Sequence, residues 1–172
     1  MLFRWAVALL ACAAAPAAGQ TAPAAVKIDS SWLHSNGATK TAEFSAIAAL
    51  TPLNAGMNFD GAKDGNLTLT VPLGWTVVLH FTNDDQVLPH SLEVVTDSGP
   101  VPVGPVTPAF AHAATPSLEQ GLGAEGKADV TFAAARAGAY RIFCAVPGHG
   151  AAGMWIRLVV SPDAKAPSLQ SR

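Results

Sequence analysis

From Thr41 onward, apolar and polar residues alternate in short runs rather than in helical stripes. Leu67, Leu69 and Val71 alternate with Thr68 and Thr70, and Val77, Leu79 and Phe81 with Thr76, Val78 and His80. Leu92 and Val94 alternate with Glu93 and Val95; Val130 with Phe132, Tyr140 with Ile142, and Ile156, Leu158 and Val160 continue the series. A period of two is what a strand with one buried face requires. Thr41 to Ala49, with Phe44 and Ile47 among small residues, is the weakest of these segments. Turn signals separate the runs: Asp64-Gly65, Pro72-Leu73-Gly74, Asn83-Asp84-Asp85 and Ala137-Gly138. No window sustains a 3.6-residue stripe. The pattern predicts an all-β fold, an antiparallel sandwich or barrel of about seven to eight short strands.

Three stretches fall outside this rhythm. Residues 20–37 are rich in Ala and Ser without a period and read as a linker; residues 162–172 are polar and read as a flexible tail. That leaves 38–161 as the folded domain. Within it, Ser98 to Gly126 holds five prolines and has no clear period, so it is expected as one long loop with a short helix around Ser117 to Gly121. A loop of this length inside a compact domain is usually functional or disordered.

Composition narrows the function. Half of the 172 residues are apolar and 13% are charged, which excludes a disordered chain. The formal net charge is −2 with no Lys/Arg-rich block, which disfavours nucleic acid as a partner. At the N-terminus, Arg4 precedes an apolar stretch from Trp5 to Ala15, and Ala18 and Gly19 offer a small-residue cleavage site. This predicts an export signal over residues 1–19; eleven apolar residues are too few to span a bilayer. A lipid-bearing Cys12, after Leu9-Leu10-Ala11, is the alternative. Removal of the signal leaves nine basic and twelve acidic residues, a charge of −3, and Cys144 as the sole thiol. A lone thiol in an exported chain cannot form an internal disulfide. It is an inert core residue, a nucleophile or a metal ligand.

Its neighbours favour the last. Cys144, His149 and Met154 follow one another with four residues between each, on a connection that contains Pro147, Gly148 and Gly150. Upstream, Leu88-Pro89-His90-Ser91 places a second imidazole at the start of another strand. His2Cys with a weak axial Met is the donor set of blue-copper electron-transfer sites. The soft thiolate suits Cu(I), imidazole serves both oxidation states, and a long thioether withholds donation from Cu(II). Structural zinc would have little use for Met154. A cysteine hydrolase would need a helix N-terminus and a base from elsewhere. A binuclear copper centre would need a second Cys, and a multicopper oxidase paired His-x-His clusters.

At these residues the chain resembles the cupredoxins, most nearly the sulfocyanins and more distantly the rusticyanins. The resemblance covers about Thr39 to Ser161. It rests on Met57-Asn58-Phe59-Asp60-Gly61, Val71-Pro72-Leu73-Gly74-Trp75, Phe81-Thr82-Asn83, Leu88-Pro89-His90-Ser91 and the run from Cys144 to Trp155. It implies a cupredoxin-like Greek-key β-sandwich with one mononuclear type 1 copper held by His90, Cys144, His149 and Met154, and single-electron transfer without catalysis on a substrate. Ser91, following the first His, stands where a residue commonly bonds the Cys sulfur, and an elevated potential and acid tolerance go with it. The expected partners are redox proteins such as a cytochrome or a terminal oxidase or reductase, met by a monomer through the uncharged surface around His149. The expected location is the periplasm or the outer face of the cytoplasmic membrane. A copper carrier or buffer on the same fold is the competing reading, and the Met-poor mature chain counts against it. His80 is expected to face solvent, His34 to lie in the linker and His112 in the Pro-rich loop. Trp75 and Trp155 are expected as core aromatics, and Met57 in the core or near the metal end.

Overall fold

The alternating runs become strands whose apolar sides meet. A computed structural model describes residues 25–172; the export signal at 1–19, Cys12 and the first part of the linker lie outside the described residues. The strands are β1 (Leu33–Asn36), β2 (Thr41–Ala48), β3 (Leu67–Pro72), β4 (Thr76–Asn83), β5 (Glu93–Thr96), β6 (Lys127–Ala133), β7 (Gly138–Phe143), β8 (Trp155–Ser161) and β9 (Ser168–Ser171). They form two sheets, in the orders β1-β2-β4-β6 and β5-β7-β8-β3-β9. In β4 every second residue is buried: Val77, Leu79, Phe81 and Asn83. Facing them from the other sheet are Leu67, Leu69, Val71, Ile142, Ile156, Leu158 and Val160, all in one core cluster. Each large apolar side chain taken fully out of water contributes about 1.5–3 kcal/mol.

The structure departs from the expected layout in five places. First, β2 pairs with β4, and β3 with β8, in parallel. Between β2 and β4 the chain crosses to the other sheet as β3 and returns, and those two reversals leave β2 and β4 pointing the same way. Second, part of the expected linker is folded. Ser30–Trp32 is a 3-10 turn capped by Asp29, Trp32 is buried, and Leu33–Asn36 pairs with β2. Third, the expected tail supplies β9, which pairs with β3; the Ser171 hydroxyl also accepts the N–H of Val26 at 2.6 Å. Fourth, the helix expected at Ser117 to Gly121 is a single turn, closed by the Gly121 N–H on the Ser117 carbonyl at 2.7 Å. Fifth, Glu93 and Val95 are buried rather than outward, because the 98–126 loop lies over that side of β5.

That loop is ordered by backbone hydrogen bonds along β5. Val94 donates to Ala113, Ala109 to Val94 and Thr115 to Leu92. Beneath it Val95, Phe143 and Ala145 form a second small cluster with Val101, Leu118 and Trp155. Trp75 is buried in the main core. Trp155 is not: it is half-buried on the outer face, with the guanidinium groups of Arg141 and Arg157 each 5.2 Å from its ring. Both arginines pair with Asp97.

Candidate metal centre

Two connections at one end of the sandwich carry the chemistry. After β4, Asn83 is fully buried and donates to the carbonyls of Leu88 and Leu122 at 3.0 and 2.8 Å, and its own oxygen accepts the N–H of Asp85. This holds the 84–90 turn closed. His90 then exchanges both backbone hydrogen bonds with Leu122 of the long loop. After β7, Cys144 leads into a Pro/Gly connection that returns at Met154. Cys144 N–H donates to the Met154 carbonyl at 3.0 Å, and Met154 N–H to the His149 carbonyl at 3.0 Å. Gly148 N–H donates to Val103 of the long loop at 2.7 Å. Gly150 is required by close packing, since a Cβ there would sit 2.6 Å from the Phe143 ring.

These contacts bring His90, Cys144 and His149 together. Their donor atoms form a triangle: 3.8 Å from Cys144 Sγ to His90 Nδ1, 3.6 Å from Sγ to His149 Nδ1, and 3.2 Å between the two Nδ1 atoms. The circle through those three atoms has a radius of about 2.1 Å, the length of first-row metal bonds to imidazole (about 2.0–2.1 Å) and near that to thiolate (about 2.3 Å). The donors fit a single ion. Among the described residues this is the one group of three such side chains gathered closely enough for a metal. Met154, fully buried, is tied by its backbone to both Cys144 and His149, so the fourth sequence candidate lies at the same end.

Burial sets the protonation. It lowers the pKa of both imidazoles, in His149 with help from the neighbouring His90, so both rings keep free lone pairs. It raises the Cys144 thiol, against the N–H groups of Ser91 and Val146, so a metal must displace a proton there. Ser91 N–H reaches Sγ at 3.4 Å. The Ser91 hydroxyl donates to Leu118 of the long loop and accepts from Ala145 N–H, which pins the two ligand-bearing segments together.

The remaining histidines stay apart. His34 and His112 are exposed, and His80 is half-exposed on the outer face between Asp129 and Glu43. Met57 is half-buried against the core. Sequence reading missed Asp85, whose Oδ2 lies 3.3 Å from His90 Nε2. It was visible only as a turn residue; its place five positions before His90 was the available signal.

A two-sheet sandwich with a thiolate and two imidazoles gathered at one end defines a cupredoxin, the class whose metal is a single type 1 copper. The chain belongs to the sulfocyanin family: the family model "Sulfocyanin (SoxE) domain" matches residues 29–170. Sulfocyanin of Sulfolobus acidocaldarius is 32% identical over 117 residues, covering 64% of this chain and 58% of that protein. Rusticyanin of Acidithiobacillus ferrooxidans is 32% identical over 113 residues, covering 66% and 60%. The chain thus spans about 60% of the length of these curated relatives. Among solved structures, reduced rusticyanin superposes with a TM-score of 0.57 at 29% identity, covering 71% of this chain and 80% of that one.

Proposed function

We propose that this protein carries single electrons between redox proteins, using one copper held by His90, Cys144, His149 and Met154. The donor triangle is the observation that carries the reading. When bound, copper supplies a reversible one-electron couple. The chain supplies the rest. Hydrogen bonds from Cys144 to Met154, from Met154 to His149 and between His90 and Leu122 fix the donor backbone. A cage held that way has little to rearrange when charge changes. Burial of His90, Cys144 and Met154 keeps water away from the ion, and Ser91 N–H draws electron density from the sulfur.

His149 is the half-exposed member and so the route to a partner. Around it are exposed Pro147, Ala151 and Ala152, with exposed Leu88 and Val103 on the segments bonded to the site. An uncharged surface of this kind suits brief, small redox encounters with a cytochrome or a terminal oxidase or reductase. The reading includes a monomer exported by residues 1–19 to the periplasm or the outer face of the cytoplasmic membrane. No helix among the described residues is long and apolar enough to cross a membrane. Three fully buried donors favour a carrier of electrons over a carrier of copper, which needs open access.

The test is copper loading of the purified protein. Oxidised material is expected to show an intense thiolate-to-Cu(II) charge-transfer band and to cycle reversibly without losing metal. Cys144→Ser is expected to abolish the band. A colourless copper complex, or a Cys144→Ser variant that stays blue, would overturn the assignment.

A further inference from the structure

Asp85 is built into the copper end without belonging to the donor set. Its side chain is 13% exposed, and its two oxygens have separate tasks. Oδ1 accepts the N–H groups of Val87 and Leu88 at 2.8 and 2.9 Å, which fixes the carboxyl plane. Oδ2 is left for His90 Nε2 at 3.3 Å. The opposite wall makes room for it: a Cβ on Gly56, whose φ is +84°, would come within 2.8 Å of Oδ2. A carboxyl that accepts two backbone N–H groups on one oxygen is held by this turn in its charged form.

A carboxylate has no proton to give, so the hydrogen shared with His90 sits on Nε2. That leaves the lone pair on Nδ1, the nitrogen that faces Cys144 Sγ and His149. Carboxylate partners of ligating imidazoles fix the tautomer and raise ligand basicity, and their loss typically costs 10- to 100-fold in metal affinity. A fixed negative charge beside the donor set also favours the more positive oxidation state. It therefore works against the burial of the site, which favours Cu(I).

Resting on the copper reading above, we propose that Asp85 is a positioning residue that locks His90 as an Nδ1 donor and holds the reduction potential below what the buried Cys-His-His-Met set alone would give. Asp85→Asn keeps the size and one oxygen acceptor but removes the charge; Asp85→Leu removes both. In metal-free protein, imidazole 15N shifts should show His90 protonated on Nε2 in the parent and a tautomer mixture in Asp85→Leu. In copper-loaded protein, Asp85→Asn should stay blue while its Cu(II) affinity falls at least tenfold relative to Cu(I), which for a one-electron couple is about 59 mV upward in potential. An unchanged potential in Asp85→Asn would overturn the proposal, as would a parent His90 protonated on Nδ1. Loss of thermal stability in either variant with no change of potential would reduce Asp85 to a turn-forming residue and likewise overturn it. The 15N measurement needs no metal, so failure of the copper reading and failure of the Asp85 assignment give different results.

Discussion

Glu93→Gln tests whether burial under the long loop makes this fold prefer acid. Glu93 on β5 is fully buried, its Oε2 accepts the N–H of Val106 at 3.3 Å, and its Oε1 has no partner among the described residues. Burial pushes its pKa from 4.5 to about 7 against the Val106 bond. The folded state therefore binds this proton more tightly than the unfolded chain does. The resulting stabilisation is complete below pH 4.5 and is lost as pH rises through 7. At about 1.4 kcal/mol per pH unit, the interval from 4.5 to about 7 amounts to about 3 kcal/mol. Gln keeps the shape and the acceptor but carries no charge at any pH. Urea unfolding of the metal-free protein at pH 4 and pH 8, parent against variant, isolates this one group from all others that titrate. The variant should match the parent within about 1 kcal/mol at pH 4 and exceed it by up to about 3 kcal/mol at pH 8. A gap that stays constant between the two pH values, or that favours the parent at pH 8, would refute the reasoning. Asp60, buried with its Oδ2 unpartnered among the described residues and its pKa pushed by burial well above the ordinary value, acts in the same direction.

Two further outcomes follow from the donor loop. Met154→Leu should retain copper and raise the potential, as loss of the proposed weak fourth donor would destabilise Cu(II); cyclic voltammetry showing an unchanged or lower potential would contradict the proposed axial role. Gly150→Ala must push its Cβ into the Phe143 ring and toward the Cys144 and Pro102 carbonyls. It should cost about 1–3 kcal/mol in thermal unfolding and weaken copper retention against a chelator, and an unperturbed variant would show that the loop can yield.

The central strands were legible because each has one face in the core and the other toward solvent. β4 and β8 announce this with strict alternation, and their buried positions are those the pattern selects. The edge strands β1 and β9 were not legible. Of the four residues in each, none is fully buried, so neither leaves an alternating apolar trace; Trp32 and Leu33 anchor the first and Leu169 the second. The parallel pairings depend on crossings between sheets, which no local pattern encodes. Glu93 looked like an outward residue because what covers it is a loop tied down by backbone carbonyls, and such contacts carry no side-chain signature. For the site the balance is reversed. His90, Cys144 and His149 were readable because donor chemistry is rare and spaced, and the structure brings their donor atoms together. Asp85 shares its residue type with every Asx turn, and only the folded position of the His90 ring distinguishes it.

The loop over β5 bonds Gly148 through Val103 and His90 through Leu122, so it joins the two ligand-bearing segments from outside the sheets. Anyone transplanting the Cys144–Met154 connection onto a different sandwich would leave that brace behind. Length changes between Val103 and Leu122 would likewise be felt by both imidazoles together. The module that can be moved intact is therefore the connection plus its brace.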